Sequence, residues 1–292
     1  MSDGIALRAF TPARVALDRT GSSLTTRHAL EFALAHAQAR DAVHAALDVA
    51  AMLDALRERG FAAVSVRSAA GSRTEYLRRP DLGRTLHPGS TTRLATKPGA
   101  PSTEPGAPSM QSYRMGGLSF AEANDRPSPA QPATNNRQPA TTLTLVLADG
   151  LSALAVERHA LPLLDALLPL LGISTTSAHD PAAPWALTPI VIAEQARVAL
   201  GDEIGAALHA DITVMLIGER PGLSSPDSLG AYITWGPRAG RSDAERNCVS
   251  NIRTEGLDYA TAARKIAWYV SEGRRLGLTG VALRESEMAL LA

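Results

Sequence analysis

The stretch Leu143-Thr-Leu-Val-Leu-Ala-Asp149-Gly150-Leu-Ser152 decides the fold. A short run of aliphatic and β-branched residues without polar alternation reads as a strand buried on both faces. The Asp-Gly behind it is a turn into an apolar helix that runs through Leu171. The pattern then repeats. Ile190-Val-Ile-Ala is a second strand, which Pro189 either confines to an edge or trims at its start. Leu200–Leu208 reads as a short helix. Ile212-Thr-Val-Met-Leu-Ile runs into the turn Gly218-Glu-Arg-Pro-Gly, and Ala231-Tyr-Ile-Thr-Trp is a further strand. Asp258 opens a last helix that Gly277 closes, with Ala263, Ile266, Ala267 and Val270 on one face. Aliphatic strands separated by helices predict an α/β fold, a Rossmann-like, mostly parallel sheet with flanking helices. Ligands of such sheets sit at the carboxyl ends of the strands, where Asp149-Gly150 and Gly218-Glu219 both fall.

Upstream the chain reads as mainly helical. Leu24 to Ala46 carries no internal Pro or Gly, Asp48 can cap a second helix ending at Gly60, and Phe61-Ala-Ala-Val-Ser-Val is a short strand. His28, His36 and His44 recur every eight residues, but each step rotates a helical face by roughly 80°, so they do not converge on a metal. They read as surface or cap histidines. Between Pro88 and Ala140 lie nine of the chain's 19 prolines, interleaved with Ser, Thr, Gly, Asn and Gln. Such a segment lacks the apolar side chains that offset the entropy of ordering. A proline-rich ligand for a partner module is the weaker alternative, since the prolines keep no regular spacing. The expected organisation is an N-terminal helical region over 1–87, a disordered Pro/Ser/Thr-rich insertion over 88–140 and the α/β domain over 141–292.

Composition excludes several classes. The 292 residues carry 29 Lys+Arg against 29 Asp+Glu, which disfavours nucleic-acid or membrane-surface binding driven by bulk positive charge. A single cysteine, Cys248, excludes an internal disulfide and a CxxC pair. No apolar run reaches the ~18 residues of a membrane span. Residues 1–8 lack the apolar core of a secretory signal, so a cytoplasmic protein is expected. There is no G-x-G-x-x-G after a strand, no P-loop, no G-x-S-x-G elbow and no H-E-x-x-H. From patterns alone the chain is a binding domain without a self-contained active site.

Two polar, glycine-punctuated segments stand out. In Leu216-Ile-Gly-Glu-Arg-Pro-Gly-Leu, a strand delivers Glu219 and Arg220 to a turn that Pro221 and Gly222 stiffen. That pair is either an exposed charge pair or a carboxylate held at the sheet's ligand-binding edge. Asp243-Ala-Glu-Arg-Asn-Cys-Val-Ser-Asn-Ile-Arg253 is dense in hydrogen-bonding groups around one thiol, and its bland reading is a capped turn and connector.

These segments also carry a family resemblance. Phe10-Thr-Pro-Ala-Arg-Val-Ala-Leu-Asp-Arg-Thr-Gly, Tyr76-Leu-Arg-Arg-Pro-Asp-Leu-Gly-Arg, Ala148-Asp-Gly-Leu-Ser, Ala196-Arg-Val-Ala-Leu-Gly-Asp-Glu-Ile-Gly, Gly218-Glu-Arg-Pro-Gly-Leu and Asn247-Cys-Val-Ser-Asn-Ile-Arg occur in order. Together they make the chain resemble the small (light) chain of the ethanolamine ammonia-lyase family. The insertion is longer and more proline-rich than the family usually shows.

The resemblance implies a subunit that is inactive without its large chain, a TIM-type barrel that binds ethanolamine and houses radical chemistry. It implies adenosylcobalamin as cofactor, with corrin-binding positions at Val198, Glu219 and Cys248, and no metal ligand or catalytic residue in this chain. Glu219 would accept from corrin amides, Val198 would give apolar or backbone contact, and Cys248 would touch the corrin rim. The product pair would be acetaldehyde and ammonia, the assembly a hetero-oligomer, and the location cytoplasmic, with entry into a bacterial microcompartment only through the partner. Two other classes compete: a self-sufficient nucleotide-dependent enzyme, which the missing phosphate loops disfavour, and an assembly subunit that never touches cofactor.

Overall fold

The computed structural model describes residues 15, 17–95, 140–174 and 184–284. The first part comprises β1 (Arg19–Thr20), β2 (Ser23–Leu24), α1 (Thr26–His44), α2 (Val49–Glu58), β3 (Ala63–Arg67), α3 (Arg73–Arg78) and α4 (Pro88–Ala95). After the insertion follow β4 (Thr141–Ala148), α5 (Ala153–Leu170), β5 (Trp185–Leu187), β6 (Ile190–Glu194) and α6 (Leu200–Ala207). The chain closes with β7 (Ile212–Gly218), β8 (Leu229–Trp235), β9 (Arg246–Ile252) and α7 (Tyr259–Leu276). The described residues make one compact unit. Residues 97–139, the bulk of the expected insertion, lie outside the described residues.

Local chemistry sets the helix starts. Asp48 accepts from the Ala51 N–H at 3.0 Å, Ser152 from Ala155 at 3.3 Å and Asp258 from Thr261 at 2.9 Å, each satisfying an orphan donor of a first turn. Helix α5 runs on through Pro162, at a local cost of about 3 kcal/mol. Its fully buried stripe of Val156, Leu163, Leu164 and Leu167, worth roughly 1.5–3 kcal/mol per large side chain, outweighs that.

The main sheet has the order β3-β6-β4-β7-β8-β9, with β5 beside the start of β4. Strands β3, β6, β4, β5 and β7 pair in parallel, and β8 and β9 continue antiparallel. The mostly parallel α/β sheet with flanking helices is as the sequence predicts. Leu143, Leu145 and Leu147 point into one core with α5 and α7, while Val146 and Ala148 point into a second with α6. Ile212, Val214 and Leu216 divide from Met215 and Ile217 in the same way. Two covered faces explain the unbroken apolar runs.

One open alternative is resolved and three details differ from expectation. Ile190–Glu194 is an interior strand between β3 and β4; Pro189, lacking an N–H, marks the break between β5 and β6 and trims the start. Pro88–Ala95, assigned to the insertion, is helical and buries Ser90 and Leu94. His28 is buried between Glu31 (3.1 Å) and Asp18 (3.4 Å), whereas His36 and His44 are exposed. The supposed connector over Asp243–Arg253 is a single 3-10 turn followed by β9. That strand hides buried Arg246 and Asn247 among its residues, which masks its alternation.

Candidate functional site

The carboxyl ends of the parallel strands converge where β4 turns at Asp149-Gly150 and β7 ends at Gly218. Gly150 has φ +54°, and a Cβ on it would stand 2.2 Å from the Gly218 carbonyl oxygen. Only glycine tolerates both the backbone angle and that approach. The Leu151 N–H closes the contact by donating to Gly218 O at 2.9 Å.

Asp149 is buried. Its Oδ2 meets Arg73 Nη1 at 3.1 Å, and its Oδ1 accepts from the Ala196 N–H at 3.1 Å. Burial pushes its carboxyl up to about 6, against the pull of Arg73 and of backbone donors. Arg73 also donates to the carbonyls of Gly150 (2.8 Å) and Val43 (2.8 Å), tying α1 to the strand ends. The turn held by Asp149 carries Arg197 and Val198. Gln195 enters it with φ 55°, a left-handed conformation that costs a non-glycine residue roughly 1–2 kcal/mol.

Beside this turn opens a cleft of about 460 Å³ lined by Tyr76, Arg197, Val198, Glu219, Arg220 and Tyr232, among others. Val198 and Glu219, far apart in sequence, therefore share one cavity. Glu219 Oε2 accepts from the Ser228 hydroxyl and from the Asn251 N–H at 3.2 Å, while the Glu219 N–H donates to Ser228 O at 2.9 Å. A Cβ on Gly230 would lie 2.9 Å from Glu219 Oε1, so glycine there makes room for the carboxylate. Ser228 and Asn251 clamp this side chain more directly than Pro221 does.

Cys248 does not line the cleft itself. It stands exposed on edge strand β9, directly opposite Tyr232, which does. Desolvation raises both groups above their ordinary values, with the Glu219 charge adding to each. The contact between the two opposes the rise at the thiol and adds to it at the phenol. The three residues singled out in the sequence thus gather on one side of the sheet. Tyr76, Arg73, Asp149, Arg197 and Tyr232 complete the neighbourhood. Asp149 was readable as a strand-end residue and Tyr76 and Arg197 lay in motif stretches, but nothing signalled Tyr232.

A larger cavity, about 850 Å³, lies under α1 and is lined by Asp41, Arg158, His159, Asp227, Arg253 and Tyr259 among others. Its charges pair internally, Arg158 with Asp227 at 2.8 Å, and the His159 Nδ1 meets Tyr259 OH at 2.8 Å. Of the residues selected from the sequence, Arg253 lines it, whereas Val198, Glu219 and Cys248 do not. Among the described residues no group of three or more His, Cys, Asp or Glu could hold a metal ion, and no helix is long and apolar enough to cross a membrane.

The family model described as Ethanolamine ammonia-lyase light chain (EutC) matches residues 3–127 and 123–284. The chain belongs to that family. It is 49% identical over 286 residues to the ethanolamine ammonia-lyase small subunit of Azotobacter vinelandii, covering 98% of this chain and 89% of the relative. It is 48% identical to the small subunit of Bradyrhizobium diazoefficiens, covering 96% and 89%, and 46% identical to that of Pseudomonas aeruginosa, covering 96% and 86%. As a member of this family the chain is a light-chain subunit, and the resemblance read from the six motifs is established over nearly its whole length.

Proposed function

We propose that this light chain pairs with the large chain of an ethanolamine ammonia-lyase and closes one side of an adenosylcobalamin site, through Val198, Glu219 and Cys248. The observation that carries the reading is the cleft at the strand ends, shared by Val198 and Glu219 and flanked by Cys248 through Tyr232. Its chemistry fits a corrin edge. A corrin offers an apolar ring rimmed by carboxamides, and the cleft offers an apolar valine, a clamped carboxylate and an arginine whose buried Nε has no partner. The whole cofactor is far larger than this cleft, so a second chain must cover the remainder.

When bound, adenosylcobalamin supplies the radical chemistry that converts ethanolamine into acetaldehyde and ammonia. The residues of this chain bind, orient and shield. Glu219 accepts from peripheral amide N–H groups, Val198 gives apolar contact, and Cys248 stays at the rim, where its raised thiol is kept protonated. The N-terminal region over 1–87 packs on the large chain, which would cover Leu30, Phe32 and Leu34, exposed along α1. The enzyme works in the cytoplasm, or in a microcompartment that it enters through its partner.

The test is co-expression with the large chain, followed by cobalamin titration and an ammonia assay. The isolated light chain should release no ammonia from ethanolamine. In the complex, Glu219→Ala leaves a corrin donor unpaired at a cost of roughly 1–3 kcal/mol, a five- to hundredfold rise in cofactor Kd on the order of magnitude given by the affinity relation. Unchanged cofactor binding, or a loss confined to ethanolamine affinity, would sink the assignment.

A further inference from the structure

We infer that Arg197 is a further cofactor-holding side chain, which donates to a carboxamide carbonyl oxygen on the corrin periphery while Glu219 accepts from amide N–H. The inference rests on the reading that the strand-end cleft takes a corrin edge, and it gives the cleft's arginine a specific partner there.

Arg197 is built into the cleft wall. Its N–H donates to Gly83 O at 2.8 Å, and its guanidinium lies 4.4 Å from the centre of the Tyr76 ring. Tyr76 is fully buried, and its hydroxyl donates to Ala196 O at 3.0 Å, so one aromatic holds both the backbone and the side chain of this turn. Any side chain at position 83 would stand 2.8–2.9 Å from Tyr76 and from the Arg197 stem. The stack fits only over glycine.

Two arginines share that ring, Arg73 at 4.9 Å and Arg197 at 4.4 Å, but they differ in partners. Arg73 is matched by Asp149. Each keeps one buried nitrogen without an acceptor, Nη2 of Arg73 and Nε of Arg197, but Arg197, which lines the cleft, makes no ion pair among the described residues. A buried donor without a partner is costly and uncommon in a native fold. An acceptor arriving with a ligand accounts for it.

The neighbouring Glu219 selects the chemical class. An anion entering beside Arg197 would also face that carboxylate. A primary carboxamide is neutral and presents a carbonyl acceptor and N–H donors together, matching one guanidinium and one carboxylate on the same wall. Planar, directional donation is what an arginine supplies and a lysine does not.

The experiment uses the complex with the large chain and aquacobalamin as probe, which reports binding without turnover. Arg197→Met keeps the packed stem and removes the donors. It should raise the aquacobalamin Kd at least tenfold while assembly and thermal unfolding stay those of the parent, and Arg197→Lys should fall between. A set of corrinoids, each with one peripheral carboxamide hydrolysed to carboxylate, supplies the second readout. At least one should bind the parent more weakly than aquacobalamin, since its carboxylate faces Glu219, and that penalty should grow in Arg197→Met, which removes the opposing guanidinium. Binding by Arg197→Met within twofold of the parent, or equal losses for every corrinoid, overturns the role of Arg197. A parent complex that binds no aquacobalamin, or a Glu219→Ala complex that binds it as the parent does, overturns the cofactor reading itself.

Discussion

The Asp149 carboxylate accepts the Ala196 N–H at 3.1 Å, so the end of β4 holds the turn that follows β6 and presents Arg197 and Val198. Its other oxygen is engaged by Arg73. One buried acid therefore joins two strand ends and α1 at the rim of the cleft.

That arrangement makes stability depend on pH. Folded Asp149 keeps its proton to about pH 6, against a usual 3.8. The protonated group favours the folded state fully below about pH 4, and this contribution is lost as pH rises through 6, a difference of roughly 2–3 kcal/mol. Urea unfolding of the parent and of Asp149→Asn from pH 4 to 7 measures it. The parent should lose stability relative to the variant across the window, and parallel curves would exclude the effect.

Asp202 of α6 and Arg246 of β9 form an ion pair in which both side chains are almost wholly buried, and Arg246 donates as well to Asp243 and to the Arg241 carbonyl. Burial raises the Asp202 carboxyl and Arg246 opposes the rise. Arg246→Met strands a buried carboxylate and should cost about 3–5 kcal/mol. Adding Asp202→Leu should restore much of that in thermal unfolding. A double variant no more stable than the single one would show that the arginine acts through its other partners.

Ser228→Ala removes one of two donors to Glu219 Oε2 and leaves the Asn251 N–H in place. A net loss of about 0.5–1.5 kcal/mol corresponds to a cofactor Kd higher by roughly two- to tenfold. Titration of the assembled complex checks this. A loss as large as that of Glu219→Ala would mean that the serine touches the cofactor itself.

Cys248 is the sole cysteine, so alkylation reports on one site. Desolvation, with the Glu219 charge adding to it, holds its thiol above the ordinary thiol range, against the pull of the Tyr232 contact. Modification by iodoacetamide should be slower at neutral pH than for a free thiol and accelerate as pH rises into the alkaline range, since the thiolate is the nucleophile. In the complex, cobalamin should slow it further. Equal rates with and without cofactor would place Cys248 away from the corrin.

What the sequence made legible follows from how each part is built. Strands β4, β6 and β7 were readable because both faces are buried and no charged residue breaks their aliphatic and β-branched runs. Strand β9 was not, since its buried positions include Arg246 and Asn247, held by Asp202 and by the carbonyls of Gly280 and Leu283. No periodicity announces such partners. Glu219 was readable as a strand-end carboxylate and Cys248 as the thiol of a polar segment, but Val198 was accessible only through the motif resemblance, and no spacing indicates that positions 198 and 219 share a cleft. The stack of Arg197 on Tyr76 over Gly83 joins three separate segments and exists only in the folded chain.

Strand β3 lies before the insertion, yet it pairs in parallel with β6 from behind it, Val64 beside Val191 and Val66 beside Ala193. A break in the chain between residues 97 and 139 would therefore yield two pieces that each own part of one sheet. Co-expressed, they should reassemble as a split protein, the N-terminal piece supplying a missing strand. Expressed alone, the C-terminal piece would expose the unpaired edge of Ile190–Glu194, a flat apolar template for aggregation. The insertion is thus a place to cut this light chain, though not a border between parts that fold apart.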